Sequence, residues 1–97
     1  MNIEQLILNG KGSIVDVRTY EEFAAAHAEG AINIPLQEIP HRIDELKTLP
    51  SPLILCCASG NRSGMAERFI TQQGIECYNA GSWLDINYQQ SKTTQSH

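Results

Sequence analysis

Leu53-Ile54-Leu55-Cys56, running into Cys57-Ala58-Ser59-Gly60-Asn61-Arg62-Ser63, decides how this chain folds. The first four residues are a continuous apolar run, too short for a helix, with Pro50 and Pro52 before it and polar residues after it. That pattern reads as a fully buried strand. Cys57 to Arg62 is a polar loop. Met65, Ala66, Phe69 and Ile70 then recur at helical spacing and predict a helix from about Ser63 to Gly74, where glycine suits a C-terminus.

The same alternation extends in both directions. Upstream, Ile3, Leu6, Ile7 and Leu8 predict a short helix stopped by Gly10 and Gly12. Ser13-Ile14-Val15-Asp16-Val17 is a β-branched run read as a second buried strand. Thr19-Tyr20-Glu21-Glu22 is a capping box that opens a helix through Phe23 to about Ala26. Ala31 to Pro35 is a brief extended piece, and Ile39, Ile43 and Leu46 predict a helix over about Pro40 to Leu49. Downstream, Ile75 to Tyr78 is a last strand, and Gly81 to Ile86 is a turn that can close with a terminal helical turn. Strands alternating with helices predict an α/β domain with a mostly parallel central sheet flanked by helices on both faces. One domain is expected over residues 1–86. Residues 87–97 lose apolar periodicity and are expected to be a flexible tail.

Composition narrows the function. The 97 residues are 41% hydrophobic and 19% charged, which is globular rather than disordered. The formal net charge is -4, the pI is about 5.2, and seven basic residues are scattered without a stripe. Neither nucleic acid nor an anionic membrane is an expected partner. A small anion remains possible, because one well-placed arginine binds it locally. The odd cysteine count (Cys56, Cys57, Cys77) gives no disulfide framework. With no C-x-x-C and no histidine at ligand spacing, neither a metal nor an organic cofactor is expected. The first residues show no secretory pattern, so a reducing, cytoplasmic location is the expectation.

In α/β folds ligands bind beyond the carboxyl ends of the strands, which is where Cys57 to Ser63 falls. Gly60 lets the loop curl so that backbone N–H groups converge as an anion nest. The following helix adds its N-terminal partial charge, and Arg62 a full one. All three favour a thiolate at Cys57, and a thiol already ionised needs no separate general base. Ala58, Ser59, Gly60, Asn61, Arg62 and Ser63 are the candidate anion-binding residues around a candidate catalytic Cys57. Asp16 and Arg18, at the end of the first strand, are expected to pair and shape the loop floor.

The sequence resembles a known family at three places. Ile14-Val15-Asp16-Val17-Arg18 with Glu21-Glu22-Phe23, His27 and Gly30-Ala31-Ile32-Asn33-Ile34-Pro35 is similar to the N-terminal signature of rhodanese domains. Cys57 to Ser63 resembles their active-site loop, in which a cysteine opens six residues ending in arginine. Asn79-Ala80-Gly81-Ser82-Trp83-Leu84-Asp85-Ile86 resembles the end of small single-domain members. The resemblance spans about residues 13–86 and implies a rhodanese-like fold and sulfane-sulfur transfer. Cys57 would take the outer sulfur of thiosulfate or a persulfide, carry it as a persulfide, and pass it to cyanide or a thiol, with a protein donor or acceptor also compatible. The loop lacks a second basic residue beside the cysteine; Ala58 stands there.

Other readings compete. Counted from Cys56, five residues separate cysteine from Arg62, the spacing of cysteine-dependent phosphatases, and arsenate reduction is a related possibility. The apolar run continues through Cys56, however, and the loop contains no aspartate to act as general acid. A non-catalytic carrier or binding module is a third reading. His27 is expected to be a hydrogen-bonded structural residue, His41 and His97 to be exposed, Trp83 to cap the core, Cys77 to be a core residue, and Arg42 to form surface ion pairs with Glu38 and Glu45.

Overall fold

A computed structural model describes residues 2–95. In chain order the elements are α1 (Ile3–Leu8), β1 (Ser13–Asp16), α2 (Tyr20–Ala25), β2 (Ile32–Asn33), a 3-10 helix (Leu36–His41), α3 (Ile43–Lys47), β3 (Leu53–Cys57), α4 (Asn61–Gln72), β4 (Cys77–Ser82) and α5 (Trp83–Gln95). The strands form one sheet in the order β2-β1-β3-β4, and every pairing is parallel. Parallel strands need crossovers, and helices supply them. Among the described residues, no helix is long and apolar enough to cross a membrane.

β3 is the central strand, and all five of its residues are buried. Its pleat sends side chains alternately to two cores. Leu53, Leu55 and Cys57 join Val15, Val17, Ile34, Ile39, Leu46, Ala66 and Ile70 on one face. Ile54 and Cys56 join Leu6, Ile7, Ala28 and Ile86 on the other. A strand covered on both faces has no polar side to reveal, which is why it reads as an unbroken apolar run.

α2 starts where its capping box predicts: Glu22 N–H donates to Thr19 Oγ1 and Thr19 N–H to Glu22 Oε1. Several boundaries differ from expectation. The helix expected over Pro40 to Leu49 is split, because Pro40 lies inside the 3-10 helix and Arg42, at φ -124, interrupts the spiral before α3. β3 extends one residue further and includes Cys57. α4 begins two residues earlier than Ser63, directly after Gly60, and Met65 lies outside its buried stripe at 52% exposure. β4 starts later and runs through Ser82, past an irregularity where Leu55 faces Asn79 but Cys56 faces Gly81. That skipped residue has the form of a bulge, with Gly81 at φ +87.

The C-terminal segment is more helical than expected. α5 is continuous from Trp83 to Gln95, so residues 87–95 are helical; 96 and 97, including His97, lie outside the described residues. Ile86 is fully buried against α1. The Gln90 side chain is tied reciprocally to Glu29, donating to its carbonyl at 2.8 Å and accepting from its N–H at 3.2 Å. The buried Ile86, the half-buried Trp83 and a polar clamp hold this helix, too few apolar positions to produce a clear period.

Candidate active site

The site is built at the carboxyl end of β3. Cys57 closes the strand, Ala58 and Ser59 form an exposed arch, and Gly60 returns the chain to α4 with φ +97. This left-handed turn is open to glycine and strained for other residues. A Cβ at Gly60 would also come within 3.3 Å of Gly81 Cα, so the loop packs closely on β4.

The turn aims donors at one atom. Cys57 Sγ accepts from Gly60 N–H at 3.0 Å, Ser63 N–H at 3.5 Å and the Ser63 hydroxyl at 3.4 Å. Burial pushes the Cys57 thiol up. Bonds from the Ser63 hydroxyl and from the N–H groups of Ser63, Ser59 and Gly60 outweigh it and bring the group down to about 7. A substantial share of this thiol is therefore ionised near neutral pH.

Asn79 on β4 holds the loop in place. Its Nδ2 donates to Gly60 O at 3.0 Å, and its Oδ1 accepts from Gly81 N–H at 2.9 Å and from the Ser63 hydroxyl at 2.7 Å. These partners fix which way the amide points. A hydroxyl carries one proton, so Ser63 donates to Asn79 or to sulfur at any moment, and ionisation of Cys57 draws that proton towards Sγ. Ser63→Ala is expected to move the Cys57 pKa upward from about 7. The rate of iodoacetamide alkylation against pH measures this; an unmoved midpoint would remove Ser63 from thiolate stabilisation.

Arg62 does not point into the nest. Its guanidinium makes a forked pair with Glu22 of α2, NH1 to Oε1 at 2.7 Å and NH2 to Oε2 at 3.1 Å, with both side chains about one-third exposed. The sequence suggested that Arg62 shares in lowering the thiol pKa; the structure gives the leading part to Ser63, Ser59 and Gly60. Asn61 is exposed on the first turn of α4.

Cys56, one residue earlier, has the opposite environment. It is fully buried on the other face, and desolvation, with the nearby Asp16 carboxylate, pushes its thiol up to about 12. A thiol in that state is no nucleophile at neutral pH. The burial of Cys56 weighs against the phosphatase reading counted from it, and against Cys56 as the resolving thiol of an arsenate reductase.

Asp16 and Arg18 pair as expected, beneath the site. Arg18 Nε and NH2 donate to the Asp16 carboxylate at 2.8–3.0 Å, and NH2 also reaches Ala26 O at 2.7 Å. Both residues are buried. Arg18 lies 4.8 Å from the ring centroid of the half-buried Trp83, which packs on the second core. His27 is exposed, stacks on Phe23 and bonds Phe23 O through Nδ1. Cys77 is buried in the first core, His41 is exposed, and Arg42 pairs with Glu38 and Glu45.

Sequence reasoning missed two site residues. Glu22 was read as a helix cap and as part of the N-terminal signature, not as a partner of Arg62. A carboxylate at that position faces back over the helix start, where it can also meet a cation, and this was the available signal. Asn79 gave no local signal, since its three partners come together only through the β3–β4 pairing.

Comparison with known proteins shows the family and the fold. The chain matches the rhodanese-like domain over residues 3–87. It is 35% identical over 74 residues to the thiosulfate sulfurtransferase PspE of Escherichia coli, covering 74% of this chain and 71% of that one. It is 41% identical over 64 residues to YrkF of Bacillus subtilis, whose name marks it as a candidate sulfur carrier. That match covers 66% of this chain, which spans only about a third, 34%, of YrkF. Among solved structures, a rhodanese with anions from E. coli superposes with a TM-score of 0.68 at 33% identity, covering 75% of this chain and 88% of that one. The chain belongs to the rhodanese-like domain family, whose general class of chemistry is sulfur transfer.

Proposed function

We propose that this chain is a sulfurtransferase that carries sulfane sulfur as a persulfide on Cys57. The observation that carries this reading is the sulfur atom of Cys57 set among converging N–H donors and held near pKa 7. The Cys57 thiolate attacks the outer sulfur of a donor such as thiosulfate, the S–S bond breaks, and sulfite leaves with the electron pair. A thiol or cyanide then attacks the outer sulfur of the persulfide and restores the thiolate. The N–H groups of Ser59, Gly60 and Ser63 stabilise the anionic sulfur at each stage. Ala58 and Asn61 line the arch, and Arg62 holds the donor's anionic group at the rim. No metal or organic cofactor takes part. The chemistry suits a compartment where thiols stay reduced, such as the cytoplasm. A sulfur-carrier module serving a protein partner would use the same atom; the likeness to YrkF favours it as the second reading.

Intact mass spectrometry after incubation with thiosulfate tests the proposal. The expected result is a gain of one sulfur atom, mapped to Cys57 and removed by cyanide with release of thiocyanate. No gain, or a gain mapped to Cys56 or Cys77, would overturn it. Transfer to a thiol but not to cyanide would favour the carrier reading.

Arg62→Ala supplies a further check. Loss of a charge-assisted contact to the donor is expected to raise the KM for thiosulfate about tenfold. Its effect on the Cys57 alkylation midpoint should be smaller than that of Ser63→Ala, because Arg62 faces Glu22. The reverse order would assign the thiolate to Arg62.

A further inference from the structure

The charges around the loop are balanced in a way the proposed function does not use. Of the arginines at this end of the sheet, Arg18 is matched by Asp16 and Arg62 by Glu22. Glu22 is held from two sides: its Oε1 accepts from Arg62 NH1 at 2.7 Å and from Thr19 N–H at 3.0 Å, and its Oε2 accepts from Arg62 NH2 at 3.1 Å. The loop's other side chains, from Ala58 to Asn61, add no cation.

We propose that Glu22 is a specificity-determining residue that discriminates among sulfur donors by charge, disfavouring dianionic donors relative to donors uncharged beside the sulfane sulfur. The inference rests on the sulfurtransferase reading. A dianion that engages Arg62 must either share the guanidinium with the Glu22 carboxylate or displace it. Sharing sets like charges side by side, and displacement breaks a forked pair. Glu22 cannot escape by protonation: the Arg62 bonds, then the Thr19 N–H, hold its carboxyl down to about 2. A donor R–S–SH with an uncharged R group carries at most one negative charge, on the sulfur it transfers, and reacts in its protonated form, so it meets less repulsion than a dianion. The thiolate attacks its outer sulfur, a new Cys57–S bond forms, and the R–S bond to that sulfur breaks. R–S⁻ leaves with the electron pair, while the proton stays on the transferred sulfur.

Glu22→Gln tests this with the helix start retained, because glutamine also closes a capping box. The measurement is kcat/KM for thiosulfate and for the persulfide of 2-mercaptoethanol, in wild type and variant, with sulfur loading of Cys57 followed by mass. The ratio of thiosulfate to persulfide efficiency is expected to rise about fivefold in Glu22→Gln, as suits a pair of this exposure, and the rise should shrink with added salt. In an Arg62→Gln background the dianion has no guanidinium to compete for, so the rise should be smaller, what remains being its direct repulsion by Glu22. A ratio that stays constant or falls in Glu22→Gln would overturn the role of Glu22 while leaving the sulfurtransferase reading intact. Failure of Cys57 to load from either donor would instead remove that reading, and this inference with it.

Discussion

Cys57→Ser is expected to abolish sulfur loading and to lower turnover on the order of a thousandfold or more, the scale on which loss of a covalent nucleophile acts. A serine hydroxyl at the same point would still receive the N–H groups of Gly60 and Ser63, so the loop should keep its shape. What disappears is an atom that is ionised near neutral pH and able to form an S–S bond. The control is Cys56→Ser. It is expected to keep most activity, because Cys56 lies on the opposite face, and to lose about 1–3 kcal/mol of stability by putting a hydroxyl into an apolar cluster. Thiocyanate formation and a urea titration measure the two effects. Cys56→Ser that stays folded but does not turn over would place the chemistry on the wrong cysteine here.

The largest stability effect is expected from Arg18→Ala. Asp16 is 0% exposed, and its carboxylate meets the Arg18 guanidinium at 2.8 Å. Removing the arginine leaves a buried charge without its partner, which typically costs about 3–5 kcal/mol. It also frees Ala26 O and the face of Trp83, both of which Arg18 now contacts. Domains of this size are stable by only about 5–15 kcal/mol, so the urea midpoint should fall steeply with an unchanged slope. Arg18→Lys should fall less, since it keeps the charge but loses the fork. A loss below about 1 kcal/mol for Arg18→Ala would show that water or another group compensates Asp16.

The legible features were those that depend on near neighbours in the chain. Burial on both faces made β3 an apolar run, and the capping box at Thr19 and Glu22 fixed the start of α2. The position of Gly60 between strand and helix gave the nest. The less legible features depend on distant partners. α5 is held by Ile86 and by Gln90 on Glu29, sixty-one positions away, which no local period reports. β4 runs on past Tyr78 because pairing with β3 draws Asn79 to Ser82 into the sheet. The same pairing brings Asn79 to the loop, and the partner of Arg62, forty positions earlier, became visible only in three dimensions.

The pleat that separates Cys56 from Cys57 has a consequence for damage and repair. A peroxide that reaches an ionised Cys57 makes a sulfenic acid, and proteins that survive this reversibly keep a second thiol nearby to capture it as a disulfide. Cys56 is adjacent in sequence but projects to the other face, where a side chain cannot bridge back without moving the strand. Cys77 lies beside Leu53, four residues down β3 from Cys57 and so about 13 Å away along the strand. Its sulfur is engaged by Thr71 and Glu67 O. The domain therefore has no internal thiol placed to capture that sulfenic acid, and reduction of an oxidised Cys57 falls to thiols from its surroundings.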